Sequence, residues 1–178
     1  MSGGATPYEI ERKFLLLGEP DLDALGAQAS SVSDIEQTYL LDPRGGAERV
    51  RRRVVRDADG QHLQLTHTRK VAVSAGVVEE DEREVGAAEY AELLVRTDPE
   101  RRTVVKTRWV VPHGEHLLEI DRIVEPRSLW LLEIELPDTD GLGAPVALPA
   151  WVGPSREVTG DPAYANRMLA LPDDPSAG

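Results

Sequence analysis

Cysteine is absent from the 178 residues, which excludes disulfides, thiolate metal centres and cysteine nucleophiles and is compatible with a reducing compartment. Aromatics are scarce, with one phenylalanine, three tryptophans and four tyrosines, so no aromatic stripe interleaves with the basic residues as in many nucleic-acid surfaces. No apolar run approaches the ~20 residues that span a bilayer, and M-S-G-G-A-T-P at the start lacks the charged and apolar regions of a signal peptide. The formal charge of −12 repels nucleic acid and anionic membrane over long range, so an anionic ligand must be held by a local arrangement of bases. A cytoplasmic protein with no nucleic-acid or membrane partner is expected. No repeat or low-complexity linker divides the chain, and one domain over 1–171 with a frayed tail over 172–178 is expected.

Strand signals outnumber helix signals. Alternation predicts strands over 8–16, 34–41, 47–56, 62–70, 79–85, 103–112, 116–124 and 130–136, separated by turn-rich stretches such as Asp57-Ala58-Asp59-Gly60. Helices are expected over 21–30, over 87–97, where Tyr90, Leu93 and Leu94 fall at helical spacing, and over 162–171, with Asp161 as N-cap and Pro162 in the first position.

Period two then sorts the charges. In Y-E-I-E-R-K-F, Glu9, Glu11 and Lys13 share one strand face, and the same parity groups Arg51 with Arg53, Glu80 with Glu82, Lys106 with Arg108, Glu119 with Asp121 and Glu133 with Glu135. A solvated face gains from mixing signs between neighbours, and acids opposed across adjacent strands are destabilising unless cations intervene. About eight strands can close into a barrel, and closure would turn such a face into a charged tunnel. The three lysines, Lys13, Lys70 and Lys106, all fall on the expected inward face, although arginines number seventeen. Point-charge lysines mixed with the planar forks of Arg51, Arg53 and Arg108 suit a multivalent oxyanion such as a phosphate chain.

The chain resembles the CYTH domains, or triphosphate tunnel metalloenzymes, whose ExExK signature matches Glu9–Lys13. The resemblance continues through R-V-R-R-R at 49–53, T-R-K at 68–70, E-D-E-R-E-V at 80–85, K-T-R at 106–108, E-I-D at 119–121, E-I-E at 133–135 and E-V-T-G-D-P-A-Y-A-N-R at 157–167. It implies a mainly-β α+β fold, an eight-stranded antiparallel closed β-barrel with flanking helices. It further implies that Glu9, Glu11, Glu133 and Glu135 hold Mg²⁺ or Mn²⁺, for which hard oxygen ligands are suited, with Glu80, Glu82, Glu119 and Asp121 as the remaining acidic, metal-holding lining. Glu9, Glu11, Lys13 and Glu135 are the expected catalytic set. Lys13, Arg51, Arg53, Lys70, Lys106 and Arg108 would cradle phosphate oxygens, with Arg167 as a lid contact and Tyr39 and Tyr164 as weaker candidates. So many carboxylates at close quarters should raise some pKa values, and metal should stabilise the fold.

One position departs from the pattern: Val78 stands where related sequences commonly carry a phosphate-binding arginine, and Arg69 and Arg83 point the other way by parity. His62, His67, His113 and His116 show no metal-ligand spacing and are expected at surface or turn positions. Trp109, Trp130 and Trp151 are expected in outer packing, and Arg101 and Arg102 at the solvent. The expected activity is a metal-dependent inorganic triphosphatase cutting tripolyphosphate to pyrophosphate and phosphate, as a monomer or homodimer. The alternatives are a nucleoside or thiamine triphosphatase, a class IV type adenylate cyclase, for which residues 1–8 lack the H-F pair that such members often carry, and a non-catalytic phosphate sensor.

Overall fold

Alternation of apolar and charged residues commits most of the chain to strands, and the faces it creates dictate how they assemble. The computed structural model describes residues 8–43 and 46–172. It contains β1 (Tyr8–Leu16), α1 (Leu22–Gln28), β2 (Ser31–Leu40), β3 (Ala47–Asp57), β4 (Gly60–Ser74), β5 (Val77–Glu84), α2 (Ala87–Leu94), β6 (Val104–His113), β7 (His116–Glu125), β8 (Leu129–Glu135), β9 (Ser155–Glu157) and α3 (Asn166–Leu169). The strands follow the order β5-β4-β3-β2-β6-β7-β8-β1, and β1 pairs back onto β5, so the eight long strands close into an antiparallel barrel. β1 gives the first half of one edge to β5 and the second half to β9, where Phe14 lies opposite Glu157.

All eight expected strands are present. β2 starts at Ser31 and β4 runs to Ser74, beyond the expected ends, while the three-residue β9 was too short to announce itself by alternation. The β4–β5 turn depends on Gly76, whose φ is +74° and whose Cβ, if present, would lie 2.9 Å from the Glu11 carbonyl oxygen.

The main apolar core lies outside the barrel. Phe14, Leu16, Leu118, Ile120, Leu132 and Ile134 point outward and are covered by Leu25 of α1 and by Val152. Leu25 is fully buried, which contributes about 2 kcal/mol. The stacked Trp109 and Trp130, with ring centroids 5.7 Å apart, and Trp151 pack against this core. A second cluster closes one end of the barrel from within: Leu169 of α3 and Ala170 meet Tyr39, Val104, Ile123 and Leu131.

The helices differ more from expectation. Asp21 caps α1 by accepting from the Asp23 and Ala24 N–H groups. α2 stops at Leu94, three residues before the expected end, and the chain turns so that Arg96 reaches buried Glu48. The helix expected over 162–171 is a 3₁₀ turn at Pro162–Tyr164 and a separate α3, because Ala165 between them is extended (φ −64°, ψ 133°). The expected tail lies outside the described residues, apart from Pro172.

Arg101 corrects the expectation of a solvent position: its Nε donates to Asp98, 3.1 Å away, and its Nη1 to the Arg167 carbonyl, 2.6 Å away. His67 also departs, being half-buried on β4 with Nε2 2.8 Å from Glu48. Among the described residues no helix is long and apolar enough to cross a membrane.

Candidate active site

Closure of the sheet converts the period-two charge pattern into a lining, and strand register decides which charges meet. Glu11 lies opposite Glu135 and Lys13 opposite Glu133 across β1 and β8, and Glu9 faces Val78 across β1 and β5. Lys70 pairs with Glu80 and Thr68 with Glu82. Arg108 lies opposite Asp121, and Glu119 opposite Glu133. Arg49, Arg51 and Arg53 alternate along the inward face of β3.

Most of these side chains surround one cavity of about 200 Å³. Of the expected site residues it brings together Glu9, Glu11, Arg51, Arg53, Lys70, Glu80, Glu82, Arg108, Glu119, Glu133 and Glu135. Lys13 and Arg167 instead line a cavity of about 440 Å³ at the end capped by α3. Lys106 and Asp121 line neither, because each spends its charge on a partner deep in the wall.

The hydrogen bonds divide the lining into a compensated and an uncompensated part. Asp121 accepts from Arg108 Nε at 2.6 Å and Nη2 at 2.7 Å, and also from Lys106. Arg108 continues to Glu133, 2.7 Å from Nη2, and to Glu119. Lys13 Nζ stands 3.0 Å from Glu133 and 3.2 Å from Glu11. Burial by itself would raise Glu133 and Asp121, but Lys13, Arg108 and Lys106 outweigh it and hold both carboxyls low, Glu133 well below the usual range. Burial and neighbouring Arg108 push Lys106 down to about 8.

Glu9, Glu11 and Glu135 behave oppositely. Burial raises all three; the charge of Glu133 adds to the rise at Glu11, and Glu119, Glu9 and Glu11 add to it at Glu135. Lys70 pairs with Glu9 and Glu80 without reversing this at Glu9. On the facing wall, burial and nearby Arg49 and Arg108 push Arg51 down to about 10. The Arg49 and Arg51 Nε atoms are buried without a hydrogen-bond partner among the described residues. One wall thus has surplus negative charge and the other surplus positive charge.

The chemistry of the acidic wall fits a hard divalent cation. Three mutually repelling carboxylates held above their ordinary value are relieved by a dication, and oxygen donors suit Mg²⁺ or Mn²⁺. Among the described residues no three carboxylate or histidine side chains converge on one point, with Lys70 paired to Glu9 and Lys13 to Glu11.

Several lining residues escaped the charge-pair reading. Arg49 has the parity of Arg51 and Arg53, a signal present in R-V-R-R-R. Asn166 enters from the first position of α3, just after extended Ala165, where no periodicity points to it. Thr68 donates to Glu82 at 2.7 Å, and Ser33 accepts from Arg53 Nε at 3.0 Å. Tyr39 packs in the inner apolar cluster and its hydroxyl accepts from Gln37 at 2.6 Å, while the Tyr164 hydroxyl accepts from Arg156 at 2.9 Å. Arg52 points outward, 3.8 Å from Glu36, so the arginine run forms no basic surface patch. Arg69 and Arg83 turn outward to Asp42 and Glu89.

The closed barrel, with its acidic wall facing a basic one, has the architecture of known proteins. The chain is 33% identical over 163 residues to an inorganic triphosphatase of Acetivibrio thermocellus, an alignment covering 90% of this chain and 92% of the relative. The chain belongs to the CYTH, or triphosphate tunnel metalloenzyme, superfamily. The crystal structure of the inorganic triphosphatase NE1496 matches with a TM-score of 0.55 and 29% identity, over 92% of this chain and 94% of that one. A putative adenylyl cyclase from Hippeastrum, described as having a dominant triphosphatase activity, shares the fold, with a TM-score of 0.52 and 21% identity over 75% of this chain and 82% of its own. No family model matches the chain.

Proposed function

We propose that this protein is a metal-dependent inorganic triphosphatase that hydrolyses tripolyphosphate to pyrophosphate and phosphate inside its tunnel. The observation that carries this reading is the pair of opposed, oppositely charged walls around one cavity: Glu9, Glu11 and Glu135 on one side, Arg49, Arg51 and Arg53 on the other. Phosphoryl transfer asks for little covalent help; it needs the chain immobilised, its charge offset and a water in line with the leaving oxygen. Arg49, Arg51, Arg53, Lys70 and Arg108 would hold the phosphoryl oxygens, and Lys13 would reach the chain from the α3 end. Glu9, Glu11 and Glu135 would hold Mg²⁺ or Mn²⁺, which when bound supplies charge neutralisation and a more acidic water. Glu80, Glu82 and Glu119 would orient the attacking water. Lys106 and Asp121 would act behind Arg108, fixing its guanidinium toward the cavity. Water adds to the terminal phosphorus, the bond to the bridging oxygen breaks, and one proton leaves with the products. The working unit is the tunnel with its C-terminal segment, residues 1–171 as one domain, monomeric or homodimeric in the cytoplasm.

A second reading has its own support. The cavity at the α3 end is lined in part by Tyr39, Val71, Ala72, Val78 and Ala165, an apolar seat for the organic part of a nucleoside or thiamine triphosphate. Val78, in the place of an arginine, contributes to that seat. Both readings are tested by phosphate release from tripolyphosphate, ATP and thiamine triphosphate with Mg²⁺, Mn²⁺ or chelator, with a check for cyclic AMP. Metal-dependent release fastest from tripolyphosphate is expected; preference for an organic triphosphate would select the second reading, and cyclic AMP a cyclase. Binding without turnover would leave a sensor.

A further inference from the structure

The C-terminal segment carries into the tunnel a side chain that the charge pattern does not explain. Asn166 lines both the central cavity and the larger one at the α3 end, a double position shared with Glu11, Arg49 and Lys70. These four residues form the neck between the two spaces. Its Oδ1 is buried with no hydrogen-bond partner among the described residues, and the buried Arg49 Nε at the same neck is equally unpaired. Buried polar groups are ordinarily satisfied, so two orphans lining one opening mark a place where a ligand completes the bonding.

The segment that delivers Asn166 is anchored on both sides. The Lys13 N–H donates to the Thr159 hydroxyl at 3.0 Å, and the Val158 N–H to the Lys13 carbonyl at 2.8 Å. Beyond Asn166, Arg101 holds the Arg167 carbonyl, and Leu169 and Ala170 pack into the inner apolar cluster. Two sets of contacts, to β1 and to the barrel end, therefore set the height of Asn166 in the tunnel.

The unpaired Oδ1 is an acceptor and does not bond a phosphoryl oxygen, but a flip of the neutral carboxamide exchanges it for Nδ2 and puts a donor at that buried position, at the neck with Arg49. We infer that Asn166 is a substrate-binding residue whose Nδ2 donates to a non-bridging oxygen of the phosphoryl group that Arg49 holds at the neck. This rests on the reading of the tunnel as a phosphate-chain site and adds a neutral contact from the C-terminal segment to the charged cradle of the strands. The amide adds a donor without adding charge to a neck where the single charge of Lys70 is already shared between Glu9 and Glu80.

The test is calorimetric binding of tripolyphosphate, in chelator and in Mn²⁺, to the wild type, Asn166→Ala and Asn166→Asp, alongside thermal melts and Mn²⁺ titration without phosphate. Asn166→Ala should weaken tripolyphosphate binding about tenfold, as loss of one hydrogen bond to a charged group does. Asn166→Asp should weaken it further through repulsion. Melting temperature and Mn²⁺ affinity should hold in Asn166→Ala, since no described residue bonds the amide. Wild-type affinity in Asn166→Ala, or a loss matched by lower melting temperature and weaker Mn²⁺ binding, would overturn the inference. Failure of the wild type to bind tripolyphosphate would overturn the functional reading first and this inference with it.

Discussion

Glu11 is the residue on which most of the tunnel's electrostatics converge. It lines both cavities, faces Glu135 across β1 and β8, and is held above its ordinary value by burial and by Glu133 despite Lys13 beside it. Replacing it with glutamine keeps the shape and removes a charge that partial burial and Glu133 disfavour. Glu11→Gln is expected to reduce turnover at least about a hundredfold, the scale of a lost charge-stabilising group, while the metal-free melting temperature stays the same or rises. Turnover at the wild-type rate would remove Glu11 from the catalytic set. Lys106 shows how far parity carries a reading at this scale. Its inward direction was legible two residues before Arg108, but its fully buried ammonium ends on Asp121, short of the cavity. Strand alternation reports direction and says nothing about depth.

At the scale of elements, β1 is the strand that both closes the barrel and carries the C-terminal segment. Its outward Arg12, buried against the ring of Phe14, donates from Nε at 2.9 Å and Nη2 at 2.7 Å to the two carboxylate oxygens of Glu157 on β9, and from Nη1 to the Ala144 carbonyl. Glu157 also accepts from the Thr159 hydroxyl at 2.8 Å, which itself takes the Lys13 N–H. One outward residue thus anchors the chain leading to Asn166. Glu157→Ala should leave the buried guanidinium short of acceptors and cost about 2 kcal/mol of stability. Urea melts and trypsin cleavage after Arg156 would check this; cleavage as slow as in the wild type would mean that β9 is held by something else. None of this was visible beforehand. Three residues are too few for alternation, and the helix expected over 162–171 joined two pieces that extended Ala165 separates.

The whole molecule balances two sets of tunnel carboxylates with opposite pH behaviour. Glu9, Glu11 and Glu135 are raised above their ordinary value of 4.5, so their contribution to stability is full below that value and is lost as pH rises through the raised values. Glu133, Asp121 and Glu82 are lowered, so theirs is present above the ordinary values and is lost as pH falls through the lowered ones. Above the first window the acidic wall is charged and strained, and a divalent cation should relieve it. The rise in melting temperature on adding Mg²⁺ should therefore be larger at about pH 8 than at about pH 5, where proton competition weakens binding. Differential scanning calorimetry with chelator controls decides this; an equal rise at both would argue against Glu9, Glu11 and Glu135 as the metal-holding set.

What the sequence by itself determined is the sidedness of the barrel. Side-chain direction along a strand is a local, period-two property, so Glu9, Glu11, Lys13, Arg51, Arg53 and Glu135 could be placed on one face before any partner strand was known. The eight strands and the apolar outer surface follow from the same alternation. Only the tertiary structure decided which inward charges meet, because register between strands distant in sequence depends on turns, closure and packing together. That is why Arg108 is spent on Asp121, Glu119 and Glu133, leaving Glu9, Glu11 and Glu135 facing the arginines of β3. Arg101 was drawn from the solvent to Asp98 and the Arg167 carbonyl, and Asn166 was carried into the tunnel, by contacts of the same non-local kind. A single extended residue between two short helical turns leaves no periodic trace in the sequence around it.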